Sequence, residues 1–333
     1  MIRRRPLGAA VVLGVAALVG VFTWHVLTPT AALRDGPLVV EIPPHQGMVE
    51  IAARLEEAGV VRDRWSFILL ALARGSARRL RAGEYEIERG ARAVDVLALI
   101  ESGRVKQHTI LHPEGATVAE LARALETERL AAGDDVLRAA RDPEVLKTLA
   151  IEGPSVEGYL FPDTYQFVRG MSATEMLTRM VQRMRSKLTP EIHERARQRN
   201  LSVHQLLTFA SIVEREAVAH DERKVIAAVF WNRLKLDMPL QADPTVQYAV
   251  GKERRALTRA DLQTDDPFNT YRHPGLPPGP IASPGLSSVE AVLDPAPVNY
   301  LYFVAEDDQR HHFSRTVTEH NEAVARYRLG RPR

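Results

Sequence analysis

The feature that most constrains this chain is an uncharged, apolar segment close to its first residue. Residues 7–27 contain no Asp, Glu, Lys or Arg and consist mostly of Ala, Val, Leu and Gly. A helix of this length would be about 31 Å long, which matches the hydrocarbon core of a bilayer. The segment therefore predicts a transmembrane helix over residues 7–27.

Three basic residues set the expected direction of this helix. Arg3, Arg4 and Arg5 precede it, and the positive-inside rule keeps such residues in the cytoplasm. We therefore expect residues 1–6 to form a cytoplasmic tail and the chain beyond residue 27 to lie across the membrane. The alternative is a signal peptide cleaved near residues 30–32. An uncleaved anchor is favoured, because the apolar run exceeds the usual signal core of about 7–15 residues.

The composition narrows the classes of protein and chemistry that remain. A chain of 333 residues with 45% hydrophobic residues predicts about two globular domains. A net charge of +2 is not the basic excess of a nucleic-acid-binding protein. The absence of cysteine excludes disulfides, thiolate zinc sites, iron–sulfur clusters and cysteine nucleophiles.

Hydrophobic periodicity predicts an α+β fold in two parts after a linker at residues 28–37. Residues 38–112 alternate short strands with helices and predict a small α+β module. Residues 113–333 predict a mixed α/β domain that carries the chemistry. Within it, the proline-rich segment 264–286 also carries aromatic and aliphatic residues, so we expect an ordered loop that forms the wall of a cleft.

No motif indicates a bound nucleotide, metal or other cofactor. The glycine patterns that cradle phosphates and the helical zinc-protease motif are missing from the sequence. His311 and His312 would point to opposite faces of a strand, which disfavours a shared metal ion. We expect a site without metal or cofactor.

Glu157 is the carboxylate in the most apolar sequence context, with Val156, Tyr159 and Phe161 around it. Burial disfavours the charged form and raises the pKa, and an acid that stays protonated near neutral pH can protonate a leaving oxygen. Gly158 would let a large ligand approach the backbone, and Tyr159 and Tyr165 would suit sugar rings. A solvated loop glutamate is the alternative.

A second candidate set lies on helices further along the chain. Glu214 and Glu216 are two residues apart, so they point about 200° apart and cannot act as one pair. Glu214 is expected to be the inward one, either facing a cleft or paired with Arg233 or Arg215, while Glu216 is solvated. Asp243, before Pro244, is typical of a helix N-cap. Polar side chains nearby could bind a polar ligand: Asn232, Gln241 and Tyr248.

Several long stretches together resemble the endolytic murein transglycosylases of the YceG-like family. They are residues 157–165 (EGYLFPDTY), 210–216 (ASIVERE), 229–234 (VFWNRL), 239–248 (PLQADPTVQY), 269–271 (NTY), 275–281 (GLPPGPI), 312–314 (HFS) and 319–321 (EHN). Their order and length make the resemblance specific, and it covers nearly the whole chain.

The resemblance implies an inner-membrane lyase with its domains in the periplasm. Such an enzyme cuts the β-1,4 bond between N-acetylmuramic acid and N-acetylglucosamine in nascent glycan strands and leaves 1,6-anhydro ends. It implies Glu157 as the catalytic residue and a LysM-like subdomain at residues 38–112. Peptidoglycan synthases are the expected protein partners, and one consequence would be the termination of glycan polymerisation. We assign Asn269 and Tyr271 to substrate binding, with Tyr159, Tyr165, Glu214, Asn232, Gln241 and Tyr248.

The chemistry of a lytic transglycosylase needs only one carboxyl group, unlike ordinary glycosidases. The acid protonates the bridging oxygen, and the resulting carboxylate takes a proton from the sugar's 6-hydroxyl, which attacks C1. Because this nucleophile belongs to the substrate, its effective concentration is high. Two alternatives stay open on sequence grounds: a membrane-anchored glycan-binding scaffold and a muramidase-type hydrolase.

Overall fold

The computed structural model describes residues 5–76, 78–252 and 255–328, which form two compact units of mixed helix and sheet. The first unit comprises the chain up to residue 108 together with residues 166–170. The second comprises residues 109–165 and the chain from residue 171 onward. The sequence predicted a module that ends at residue 112, and this prediction did not include residues 166–170. Arg3 and Arg4 lie outside the described residues.

Helix α1, Arg5–Leu27, contains the predicted membrane segment. Its portion Ala9–Leu27 is long and apolar enough to cross a bilayer by length and composition, and only 6% of it is buried within the protein. The last turn differs from the rest, because Val26 is buried and the Trp24 ring lies 4.3 Å from the guanidinium of Arg62.

The first unit is built around a two-stranded sheet with helices on it. Its elements after α1 are α2 Ala32–Asp35, β1 Leu38–Ile42, α3 Met48–Glu57, α4 Arg64–Ala73, β2 Gly83–Ile87 and α5 Ala93–Ser102. The strands are antiparallel, with Val40 opposite Tyr85. Val40 and Ile42 point into the core and alternate with outward residues, as the period of two in a strand requires.

The remaining elements are mostly helices. They are β3 His108–His112, α6 Val118–Thr127, α7 Gly133–Ala139, α8 Pro143–Thr148, β4 Asp163–Phe167, α9 Ala173–Lys187, α10 Pro190–Gln198, α11 Val203–Glu216, α12 Arg223–Lys235, α13 Asp243–Ala249, α14 Leu286–Leu293, β5 Tyr302–Ala305, β6 His311–Ser314 and α15 Val317–Arg328, with short 3-10 helices at His220–Glu222 and Asp261–Gln263. Strand β3 pairs with β4, and β5 pairs with β6.

Turn residues divide two helical regions of the second unit into three helices each. Residues 117–150 form three helices: Arg129 adopts a left-handed conformation after α6, and Asp142 caps α8 ahead of its first-turn proline. Residues 172–218 also form three helices. There Thr189 caps α10, and Asn200 takes a positive φ before α11.

Helix α11 is the buried element that positions the candidate site. It packs against α12 and α14, and every residue from Leu206 to Glu214 is buried. Its last residue, Glu216, leaves the core and is half-buried. The two glutamates of this helix therefore lie in different environments.

Candidate active site

Two glutamates in the described part of the chain have pKa values raised to about 8, Glu157 and Glu216. Both belong to the second unit, and both line a cleft. A carboxyl group with such a pKa is protonated at neutral pH and can act as a general acid.

Glu157 is held at the start of helix α6. Thr117 and Glu120 form a reciprocal cap there, with the Thr117 hydroxyl accepting from the Glu120 N–H. The N–H of Val118 takes no part in this cap and donates instead to both carboxyl oxygens of Glu157, at 3.1 Å each. The backbone N–H of Glu157 donates to Ser155 Oγ at 3.1 Å. The carboxyl group is thus held by a backbone N–H at the start of α6.

Glu157 as a whole is only 4% exposed, and burial is what raises its pKa to about 8. The N–H groups of Val118 and Gly158 oppose this shift, because they favour the carboxylate. The residue lines a cleft of about 510 Å³. Tyr248 and Phe268 also line it, with ring centres 4.9 Å apart, as does Arg141.

We expect Glu157 to make the protein less stable as the pH rises. Its pKa is about 8 in the folded chain against an ordinary 4.5. Between these values the unfolded chain loses a proton that the folded chain keeps, so the free energy of unfolding falls by up to about 1.4 kcal/mol per pH unit. Glu157→Gln removes this loss, so its unfolding temperature should rise relative to wild type between pH 5 and 8.

Thermal unfolding followed by circular dichroism at pH 5, 6.5 and 8 measures this effect. Glu128→Gln, at an exposed position, is the matched control and should give a constant difference from wild type. If Glu157→Gln also gives a constant difference, its carboxyl group does not hold a proton in the folded protein at neutral pH.

The residues after Glu157 have structural roles that differ from the sequence expectation. Gly158 has a φ of +76°, and a Cβ atom there would overlap Pro280, so the glycine permits close packing of the protein rather than of a ligand. Tyr159 is buried, and its hydroxyl shares a 2.8 Å hydrogen bond with His204 Nδ1. The hydroxyl of Tyr165 donates to Phe161 O at 2.6 Å.

Glu214 is the inward member of the α11 pair, as predicted, but its partners are different. Arg223 Nη2 lies 2.9 Å from one carboxylate oxygen, and both side chains are almost fully buried. The other oxygen accepts from Ser288 Oγ at 2.7 Å and from the N–H of Gly285 at 3.0 Å. The predicted pairing with Arg233 or Arg215 is wrong, because Arg223 enters from the start of α12.

Glu216, predicted to be solvated, instead has a raised pKa. Burial is the main cause, and the negative charge of Asp243 adds to it, whereas Arg233 and Arg215 act in the opposite sense. The position of Glu216 at the C-terminal end of α11 also disfavours a negative charge, because the helix dipole is negative there. The sequence pattern could not predict this raised pKa, because Asp243 belongs to a segment far from Glu216 along the chain.

The surroundings of Glu216 form a polar cleft. This cleft has a volume of about 350 Å³ and is lined by Arg233, Gln241, Asp243 and Tyr271, among others. Glu216 and Asp243 also line a second cleft of about 450 Å³. The two carboxyl groups therefore stand in a wall common to both clefts.

Asp243 is not the N-cap that the sequence suggested. Helix α13 begins at Asp243 itself, and its N-cap residue, Ala242, makes no side-chain capping bond. The Asp243 carboxylate instead accepts a hydrogen bond of 2.5 Å from the Tyr271 hydroxyl. Gln241 lines the same cleft and adopts a positive φ of 49°, a strained conformation that is common at functional sites.

Some of the other predicted binding residues line a cleft, and the rest bond to backbone carbonyls of the protein. Tyr271 and Gln241 line the Glu216 cleft, and Tyr248 lines the Glu157 cleft. The Asn232 amide donates to Val298 O at 2.9 Å and to Tyr300 O at 3.0 Å. Asn269 is fully buried and donates to the carbonyls of Leu262 and Thr264. Both asparagines thus hold loops in place.

The proline-rich loop contributes to the Glu157 cleft and to the 350 Å³ Glu216 cleft, in agreement with the predicted cleft wall. It contains no helix or strand between residues 264 and 285. Phe268 lines the Glu157 cleft, and Tyr271 lines the Glu216 cleft. The loop is held by buried polar residues, including Thr270, whose hydroxyl accepts from the N–H of Ala242 at 3.0 Å.

Comparison with known proteins decides the family. The model of the YceG-like family matches residues 40–326, which is most of the chain and includes both glutamates. The chain belongs to the YceG-like family. The resemblance found in the motifs is therefore confirmed over residues 40–326.

Two relatives of this YceG-like chain share a name. A protein of Bacillus subtilis named endolytic murein transglycosylase is 34% identical over 86% of this chain and 84% of its own length. A protein of the same name from Streptococcus pneumoniae is 30% identical over 90% of this chain but only 60% of its own length. The crystal structure of a YceG-like protein from Listeria monocytogenes superposes with a TM-score of 0.61 at 35% identity, over 86% of this chain and 98% of that one.

Proposed function

We propose that this YceG-like protein is a peptidoglycan lytic transglycosylase that cuts inside glycan strands. The relatives' name, endolytic murein transglycosylase, supports the substrate and the reaction class. The observation that carries the proposal is a carboxyl group of raised pKa, Glu216, in a wall common to two clefts. An acid that cuts within a polymer needs room for sugars on both sides of the bond, and this arrangement provides it.

We place the acid at Glu216 in preference to Glu157, the position assigned from the motif. The pKa values do not separate them, since both are about 8. Their accessibility does: Glu216 is half-buried and lines two clefts, whereas Glu157 is 4% exposed and has both oxygens engaged by the Val118 N–H. An acid must reach its substrate oxygen within hydrogen-bonding distance. Glu157 stays the second candidate.

The reaction would proceed on the substrate's own atoms. Protonated Glu216 donates its proton to the oxygen that bridges C1 of N-acetylmuramic acid and C4 of N-acetylglucosamine, and the C1–O bond breaks. The carboxylate then removes the proton from the 6-hydroxyl, whose oxygen bonds to C1. The products are a 1,6-anhydro-muramyl end and a free 4-hydroxyl, the carboxyl is protonated again, and no water is consumed.

The neighbours of Glu216 have separable tasks in this scheme. Burial and, after it, the negative charge of Asp243 raise the pKa of the acid, and the same charge would stabilise the positive charge that develops at C1. Tyr271 orients Asp243 through its hydroxyl hydrogen bond. Gln241, exposed beside them, is placed to bind acetamido or hydroxyl groups of a sugar.

Mass spectrometry of the products tests the proposal. Digestion of uncross-linked glycan strands in ¹⁸O-labelled water should release anhydro-muropeptides that carry no ¹⁸O and are lighter by one water than hydrolysis products. Short and intermediate strands should appear together from the start, because cleavage is internal. Incorporation of ¹⁸O at the new reducing ends would instead identify a muramidase, and binding without any products would identify a scaffold.

The proposal also covers location and partners. The α1 segment would anchor the protein once in the inner membrane, with residues 1–6 in the cytoplasm and the two units in the periplasm. The LysM-like assignment of residues 38–112 stays a prediction; the β1–α3–α4–β2 order of helices between paired strands supports it. Nascent strands would bring the protein close to peptidoglycan synthases.

A further inference from the structure

The outer face of helix α4 carries large apolar side chains that no part of the first unit's core covers. Trp65, Leu69 and Leu72 are 64%, 55% and 55% exposed. They lie at positions i, i+4 and i+7, so they share one face of the helix. The opposite face buries Phe67 and Ile68 in the core. A concentration of exposed apolar residues of this kind marks a surface that contacts something other than water.

The position of α4 indicates what that contact is. His25 Nδ1, near the end of α1, lies 3.2 Å from Ser66 Oγ in the first turn of α4. Arg62 Nη2 donates to Pro29 O at 2.6 Å. These contacts fix the beginning of α4 beside the end of the apolar span, which finishes at Leu27. If α1 crosses a bilayer, α4 begins at the level of its surface.

The residue types around α4 match a bilayer surface. Trp24 in the last turn of α1 is 52% exposed, so it and Trp65 present two exposed indoles near the end of the span. Tryptophan concentrates at membrane–water interfaces. Exposed arginines stand at both ends of α4, with Arg64 in its first turn and Arg74 and Arg78 after its last. Arginine is attracted to anionic headgroups and can extend its charge to water while its stem lies on lipid.

We propose that the outer face of α4 lies in the headgroup and upper acyl region of the same bilayer leaflet that α1 leaves. The occupant of the apolar face is therefore lipid. The second contact holds the first unit against the membrane, whereas α1 alone would leave it free to tilt about a single attachment. The inference rests on the proposed anchoring by α1 and does not depend on which glutamate is the acid.

The absence of cysteine makes the test direct, because any introduced cysteine is the only one. Full-length Leu69→Cys and Leu72→Cys proteins would carry a nitroxide label and be reconstituted in vesicles of phosphatidylethanolamine and phosphatidylglycerol. Collision with oxygen and with a water-soluble nickel chelate reports depth. Leu18→Cys, in the exposed middle of α1, and Glu86→Cys, exposed on β2, are the lipid and water controls.

We expect labels at positions 69 and 72 to be several-fold less accessible to nickel than the label at 86 and to be accessible to oxygen. Nickel accessibility equal to that at 86, with the label at 18 immersed, would overturn the proposal and leave the anchor intact. Protection from both reagents would also overturn it, since it would indicate a protein contact or a second copy. A water-accessible label at 18 would remove the anchor and the proposal together.

Discussion

Replacing Glu216 with Gln should abolish lytic activity while the protein stays folded. A general acid contributes about 10²–10⁴-fold to a rate, and this group would also serve as the base, so we expect a loss of about 10³-fold or more. Gln keeps the size and the neutral charge that the protonated acid has at pH 7, so the change removes the proton and little else. The release of anhydro-muropeptides from glycan strands measures the loss.

Glu157→Gln is the matched control for this experiment, because Glu157 has the same raised pKa and lies in another cleft. It should retain activity within about tenfold of wild type, because in this proposal Glu157 does not transfer the proton. The reverse result, with Glu157→Gln inactive and Glu216→Gln active, would move the acid to Glu157. A pH profile could not decide between them, since either group would lose its proton near pH 8.

The largest effect on stability is expected from Arg223. Its guanidinium is paired with Glu214 in the interior, where the two side chains are 6% and 5% exposed. Arg223→Met would leave the Glu214 carboxylate buried without its partner, and breaking such a pair costs about 3–5 kcal/mol. In a domain of this size that corresponds to a fall of roughly 6–20 °C in the unfolding temperature.

Two further variants test whether the loss of stability comes from the burial of the Glu214–Arg223 pair. Lys224→Met removes the neighbouring cation, which pairs with Asp294 at the surface, with side chains 54% and 63% exposed. It should cost less than about 1 kcal/mol. The double variant Glu214→Gln, Arg223→Met should recover much of the loss, because no unpaired charge remains in the core. Equal losses from Arg223→Met and Lys224→Met would show that the interior pair contributes no more than a surface one.

Helix α11 shows most clearly which features of the candidate site the sequence predicts and which require the tertiary structure. Helical geometry predicted that Glu214 and Glu216 face different ways, and the apolar residues at helical spacing before Glu214 predicted that it is the inward one. The sequence could not show that Arg223, Ser288 and Gly285 would occupy the inward carboxylate. Nor could it show that Asp243 would stand near Glu216 and help raise its pKa. These partners come from segments brought together only by the packing of α11 against α12, α13 and α14.

For Glu157, too, the sequence predicted the burial of the residue but not the contacts of its neighbours. Its apolar sequence context correctly indicated burial and a raised pKa. The tyrosines around it were expected to bind sugars; in the structure the Tyr159 hydroxyl shares a hydrogen bond with His204 and the Tyr165 hydroxyl donates to a backbone carbonyl, and sugar binding by these residues stays a prediction. A sequence motif indicates a family. It does not distinguish residues that contact a ligand from residues that support the fold.

The sequence by itself determined what depends on composition and on neighbours along the chain: the apolar span of α1, the period of the strands and helices, the exclusion of cysteine chemistry and the family. The tertiary structure decided which carboxyl groups are buried, which are paired and which face a cleft. Burial and pairing depend on side chains tens of residues apart in sequence, and a pKa responds to the charges and the water within a few ångströms of the group.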